Sequence, residues 1–280
     1  MMAGMFQYEF LQNAFLTGII IGVIAPLIGV FVVVRRLSLI ADALSHVTLA
    51  GIAASLLIEK KFLAAGSLSP IYMGMVFSVV GSLFIEKLRT VYKHYQELAI
   101  PIILSGGIGL SVIFISLADG FNTDLFSYLF GSVSAVSRTD LWLILIISIF
   151  VITIIFLLYK ELFLISFDEE HAKASGLPTK GLHLLFIIMV ALVIAASMRV
   201  VGILLVSALM TLPVAAAIRL ANGFKQTIIY SILFGEASVL GGLFISYYLD
   251  LAPGGTIVMI SIIILILSIL VKKWIVKSAV

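Results

Sequence analysis

Residues 10–34 read FLQNAFLTGIIIGVIAPLIGVFVVV, an apolar run without a single charged side chain. A hydrocarbon core about 30 Å thick is crossed by about twenty helical residues, so this stretch alone points to a bilayer. Comparable runs follow near 41–58, 70–86, 99–118, 139–159, 182–198, 200–220, 226–248 and 255–272. They predict an all-α fold, a polytopic transmembrane bundle of eight or nine spans, in a single domain over residues 1–280. Two runs leave the count open: 41–58 is short and carries charge, and 182–220 is interrupted only by Arg199. A re-entrant segment buried in protein would reduce nine to eight. No basic leader with a small-residue cleavage site accompanies the first run, which is expected to be retained as a span.

Composition agrees. Of the 280 residues 62% are hydrophobic and only 11% charged, against about 25% charged in soluble domains. Cysteine is absent, which excludes disulfides, thiolate metal sites and cysteine nucleophiles. Any metal must be met by oxygen or imidazole. The net charge of +3 is too small to make nucleic acid a partner. With nine spans and an outer N-terminus, thirteen of the 17 Lys and Arg residues fall on one side. Lys60, Lys61, Arg138 and Arg199 fall on the other. Because cytoplasmic loops hold the basic excess, the expectation is a multi-pass cell-membrane protein with a cytoplasmic C-terminus. The longest inner loop is then 160–181 and the longest outer one 119–138, where Asp124–Phe130 reads as a short interfacial helix.

An ionisable group inside a span costs about 2.5–3.5 kcal/mol, and is a functional candidate by default. In Ser38-Leu-Ile-Ala-Asp42-Ala-Leu-Ser45-His46, Asp42 and His46 are four apart and share a helical face. Carboxylate and neutral imidazole together suit a divalent transition-metal ion. Two ligands fall short of the four of a structural zinc site, as suits an ion that must also leave. The bland alternative has Asp42 capping the helix after Arg35-Arg36-Leu37-Ser38 and His46 hydrogen-bonded within the bundle. Glu236, mid-span in Phe234-Gly-Glu-Ala-Ser238, is a candidate pathway residue, though such a carboxyl is more often structural. His94 and His171 in loops, and His183 at a span start, are expected to be solvated or interfacial.

After the fifth run, Asp168, Glu169 and Glu170 begin a helix-forming stretch at the end where the macrodipole favours negative charge, and Gly176 with Pro178 stops it. A helix of this size fits a groove of a cytoplasmic partner, or is an ordinary solvated loop helix. No Gly-x-x-x-x-Gly-Lys-Ser/Thr phosphate loop occurs, so ATP-driven work would need a separate hydrolytic chain. His-Glu-x-x-His and Gly-x-Ser-x-Gly stretches are also missing, which argues against an intramembrane hydrolase. A proton-coupled secondary transporter using Asp42, His46 and Glu236 is a second class. The lack of evident internal repeats weighs mildly against it.

Over nearly its whole length the chain resembles the metal-ion permeases of ABC importers, whose members carry zinc, manganese or iron. The most specific match is Gly29 to His46, with its Arg35-Arg36, Ser38 and Asp42-x-x-Ser45-His46. Asp168 to Gly176 is similar to the family's cytoplasmic coupling helix, and Val201 to Ala217, with Pro213, to its late proline-containing span. The resemblance implies a transport subunit rather than an enzyme, paired with a second copy of itself. Two ATPase subunits would dock on Asp168, Glu169, Glu170 and Gly176, and an extracytoplasmic binding protein would deliver the ion. It further implies that Asp42 and His46 handle the metal; Ser45 and Glu236 are candidate pathway residues, and no permanently bound cofactor is expected. Thr48-Leu-Ala-Gly51 follows the histidine where many manganese and iron relatives place a proline. On that feature the chain looks closer to the zinc branch, with manganese or iron as the alternative cargo.

Overall fold

Every apolar run becomes a helix in the structure, a computed structural model that describes residues 8–62, 69–118, 120 and 123–278. The first four helices are α1 (Glu9–Val34), α2 (Ser38–Phe62), α3 (Pro70–Val91) and α4 (Ala99–Leu117). Short helices α5 (Thr123–Phe130), α7 (Tyr159–Phe167) and α8 (Glu169–Ala174) flank α6 (Arg138–Leu157). The chain closes with α9 (Thr179–Val201), α10 (Ile203–Leu220), α11 (Phe224–Leu249) and α12 (Pro253–Ser278). Eight of these are long and apolar enough to cross a membrane. At 18 residues, α10 stands at the lower limit of about 17. Residues 119, 121 and 122 of the 119–138 loop lie outside the described residues.

Two expectations about the spans are corrected. The run 41–58 is the middle of a 25-residue helix, because its polar ends continue the helical hydrogen bonding. The run 182–220 divides at Gly202 rather than at Arg199. Gly202 has φ +86°, a backbone conformation that only glycine adopts without strain. It also lies against the chain end of α5, where an added Cβ would stand 2.5 Å from the Leu129 carbonyl oxygen.

Arg199 stays inside α9 because the fold supplies its counter-charge. Its guanidinium pairs with Asp140, donates to the Ala135 carbonyl at 3.2 Å and donates to the Tyr128 hydroxyl at 3.1 Å. Asp140 also closes a capping box with Ser137 at the start of α6, satisfying orphan N–H groups there. Breaking such a pair leaves one buried charge uncompensated. Arg199→Met is expected to destabilise the protein by about 3 kcal/mol, and Asp140→Asn in the same chain to restore part of that loss. Thermal unfolding of the two purified variants in detergent checks this, and equal loss in both would count against it.

The core is built on α1, α9 and α10. Ile21, Ile24, Ile28 and Phe31 of α1 pack with Phe186, Ile187, Val190 and Ile194 of α9 and with Val206, Leu209 and Met210 of α10. A helix apolar around its whole circumference is a buried one, and α9 is buried along most of its length. By contrast α4, α6 and α12 expose Val112, Ile149 and Leu267, as lipid-facing helices do. Close approach between helices relies on small residues: Gly29 leaves so little room that a Cβ would stand 2.0 Å from the Met210 carbonyl oxygen.

Candidate functional site

Helix α2 packs chiefly on α3, α4 and α10. Its Val47 backbone nitrogen would be 2.9 Å from a Cβ at Gly107 of α4, and its Val47 side chain 2.8 Å from one at Gly81 of α3. Ser111 of α4 donates to the His46 carbonyl at 3.1 Å. The turn carrying His46 is therefore fixed through its backbone, while its imidazole is left out of that packing.

Asp42 and His46 are partly buried, one turn apart on one face of α2. Neither side chain makes a hydrogen bond or ion pair with any described residue. Asp42 is the fifth residue of α2, which begins at Ser38, so it is not the helix cap. Ser45 is placed differently: it is 1% exposed and its hydroxyl donates to the Ala41 carbonyl at 2.8 Å. No cluster of three or more His, Cys, Asp or Glu side chains capable of holding a metal occurs among the described residues. What α2 presents is a pair of N/O donors with open coordination.

Glu236 is not brought to that pair. Helix α11 packs on α1, α10 and α12, while α2 packs chiefly on α3, α4 and α10. The Glu236 carboxyl sits over Gly22 of α1, with Oε1 buried and without a hydrogen-bond partner among the described residues.

A second cluster, missed in the sequence, lies at the other end of α1. His183 is buried rather than solvated, at 7% exposure. Arg35 contacts its Nδ1 and Arg89 its Nε2, while Glu86 Oε2 stands 3.3 Å from Nε2. Burial lowers the Arg35 guanidinium to about 10, opposed by the charge of Glu169 and assisted by that of Arg89. It remains a cation at neutral pH, stacked 5.1 Å over the Phe186 ring. The cluster ties the α1–α2 turn, α3 and α9 together. Its signal was spread over 148 residues, and only the Arg35-Arg36 pair hinted at it. His94 and His171 are exposed, as expected.

The α7–α8 segment borders this cluster. Asp168 caps α8 by accepting from the His171 N–H at 2.8 Å, and Glu169 pairs with Lys173 at 2.7 Å. The Lys173 hydrogen bond holds the Glu169 carboxyl below the usual carboxylate range. Gly176, at φ +81°, ends the helix while the Leu177 N–H reaches back to the Ala172 carbonyl at 3.1 Å. Only Ala172 of α8 is buried, against Ile165 and Leu182. Asp168, Glu169, Glu170 and Gly176 all face outward. A row of aromatic rings runs inward from this segment. Phe167 meets Phe163 at 4.8 Å, Phe163 meets Phe224 at 5.0 Å, Phe224 meets Phe31 at 5.3 Å and Phe31 meets Phe186 at 6.3 Å.

A membrane bundle with an unpartnered acid–imidazole pair on one helix and an outward-facing capped helix at one end has the parts of a transport subunit. Residues 7–272 match the ABC 3 transport family, and the chain belongs to that family. It is 35% identical over 267 residues to the manganese transport system membrane protein MntC of Listeria monocytogenes, covering 95% of this chain and 92% of that protein. It is also 35% identical, over 266 residues, to the manganese import system permease protein ScaB of Streptococcus gordonii, covering 95% and 92%. Among solved structures it resembles PsaBC from Streptococcus pneumoniae in complex with Fab, with a TM-score of 0.82 and 33% identity over 95% of this chain and 93% of that one. It is therefore a permease of the metal-transporting ABC type and not an enzyme.

Proposed function

We propose that this chain is the membrane permease of an ATP-driven manganese importer, and that the ion passes Asp42 and His46. The observation that carries the reading is the pair itself: two metal-binding side chains in a membrane helix, unengaged by any described residue. Relatives described as manganese permeases support manganese over the zinc expected earlier. That zinc expectation rested on Thr48 to Gly51, and those residues serve packing. The Thr48 hydroxyl donates to the Leu44 carbonyl at 2.6 Å, and Gly51 lies against the Met73 carbonyl of α3. Neither informs the metal. Oxygen and nitrogen donors without thiolate accept Mn²⁺, and zinc would bind the same donors more tightly. Selection therefore falls to delivery and geometry.

Two copies would face one another so that two half-sets, or one half-set and water, surround the ion. Two ATPase chains would engage α8 from the cytoplasm, and an extracytoplasmic protein would supply the cargo. The C-terminus lies on the cytoplasmic side in this reading. The test is uptake of radioactive manganese and zinc by cells expressing the chain with and without a co-purifying ATPase. Manganese uptake that needs the ATPase is expected. Uptake by the chain alone under a pH gradient would replace this reading with a secondary transporter.

The α8 segment yields its own test. Deletion of 168–176, or Glu170→Arg, is expected to leave a folded permease that no longer retains its ATPase through purification. Retention at wild-type stoichiometry after the deletion would remove α8 from the docking surface.

A further inference from the structure

On the same side as α8, a groove of about 720 Å³ opens between the end of α6, the start of α7 and the start of α11. Its floor and walls are apolar: Leu27, Ile152, Ile155, Phe156, Ile228 and Ile229. Its polar end carries Tyr159, Lys160, Glu161 and Lys225. A second cavity of about 580 Å³ shares Tyr159 and Lys225 with it and adds Asn222 and Gln226. The apolar part continues onto a lipid-facing surface, where Phe156 is 81% and Leu157 69% exposed.

The charged groups around the polar end have no protein partner among the described residues. Lys160 and Lys225 are exposed and make no hydrogen bond or ion pair with any described residue. Glu161 has Oε2 buried without a hydrogen-bond partner among the described residues. The other carboxylate oxygen, Oε1, is neither buried nor bonded to a described residue, and it is the one that a cationic group in the groove can reach. Two ammonium groups and one carboxylate at the mouth of an apolar groove match a headgroup that itself carries one phosphate and one ammonium.

We infer that this groove holds a phosphatidylethanolamine molecule of the leaflet nearest α8, its phosphate between Lys160 and Lys225, its ammonium on Glu161 and an acyl chain along Ile152, Ile155 and Ile228. Phosphatidylglycerol would satisfy the lysines but offer Glu161 only neutral glycerol hydroxyls where an ammonium would supply a charge-assisted bond. Phosphatidylcholine would offer a quaternary ammonium that cannot donate a hydrogen bond. The assignment rests on the membrane placement alone and not on the transported ion.

The test reconstitutes the purified permease in vesicles of equal parts phosphatidylethanolamine, phosphatidylglycerol and phosphatidylcholine, and weighs the co-purified lipid by native mass spectrometry. Retention of phosphatidylethanolamine by about tenfold over phosphatidylcholine is expected from one charge-assisted hydrogen bond. Lys160→Ala with Lys225→Ala should remove that retention, and Glu161→Gln should shift preference to phosphatidylglycerol. Equal retention of the three lipids, preference of the unaltered chain for phosphatidylglycerol, or no retained lipid would each overturn it. The competition on the unaltered chain stands if the variants fail to fold.

Discussion

Manganese uptake is expected to fall by more than about tenfold when His46 is replaced by alanine or Asp42 by asparagine, with the melting temperature of the purified permease unchanged. Outer-shell partners of a metal ligand are already worth about 10–100-fold in affinity or activity, so removal of a direct donor should cost at least the lower end of that range. The unchanged stability follows from geometry. Neither side chain bonds to a described residue, and the contacts that seat this turn, Ser111 to the His46 carbonyl and Gly107 against Val47, are made to backbone. Ser45→Ala supplies the contrast. It removes a single bond to the Ala41 carbonyl, and uptake should stay within about twofold, since one such bond is worth about 1 kcal/mol to the fold rather than to the ion. Wild-type uptake of both manganese and zinc in the His46 and Asp42 variants would take the pair out of the mechanism.

Gly202→Ala is expected to be among the most damaging conservative substitutions in the chain. At φ +86° and ψ 149° the residue occupies a region essentially reserved for glycine, at a cost of about 1–3 kcal/mol for any other. The new Cβ would also stand 2.5 Å from the Leu129 carbonyl oxygen and the Phe130 carbonyl carbon, and 2.6 Å from the Gly131 nitrogen. All are backbone atoms that cannot swing aside, which adds about 1–3 kcal/mol of overpacking. Together these approach the whole stability of a marginal protein. Gly176→Ala separates the two contributions: φ is +81°, but nothing lies within 4 Å of its Cβ position, so only strain remains. The yield of monodisperse protein in detergent should be near zero for the first and close to normal for the second. Comparable yields would mean that the α5, α9 and α10 junction yields more than its geometry allows.

The bundle was readable because span length and hydropathy are local properties: nine apolar runs correspond to nine helices. The caps of α8 were readable for the same reason, with the acid at Asp168 and the glycine at Gly176 both acting within a few residues. Arg199 was misread as a break because its cost was counted in lipid, while Asp140 and Tyr128, contributed by other segments, supply the charge and hydrogen bond that keep it helical. Gly202 carried no mark setting it apart from the chain's other glycines. His183 looked interfacial by position alone, since nothing near it in sequence announces Arg35 above and Arg89 below. Asp42 and His46 stood out because four residues is a helical turn. That no described residue engages them could be learned only from the folded chain.

The row of rings from Phe167 to Phe186 sets how a push on the α7–α8 segment would travel. Its inner members, Phe31 and Phe186, are fully buried, and a close-packed interior has no slack in which a displaced ring could come to rest. The inner end of the row lies beside Arg35, at the turn from which α2 departs. The α7–α8 segment and the turn that opens α2 are thus joined by a continuous line of ring contacts.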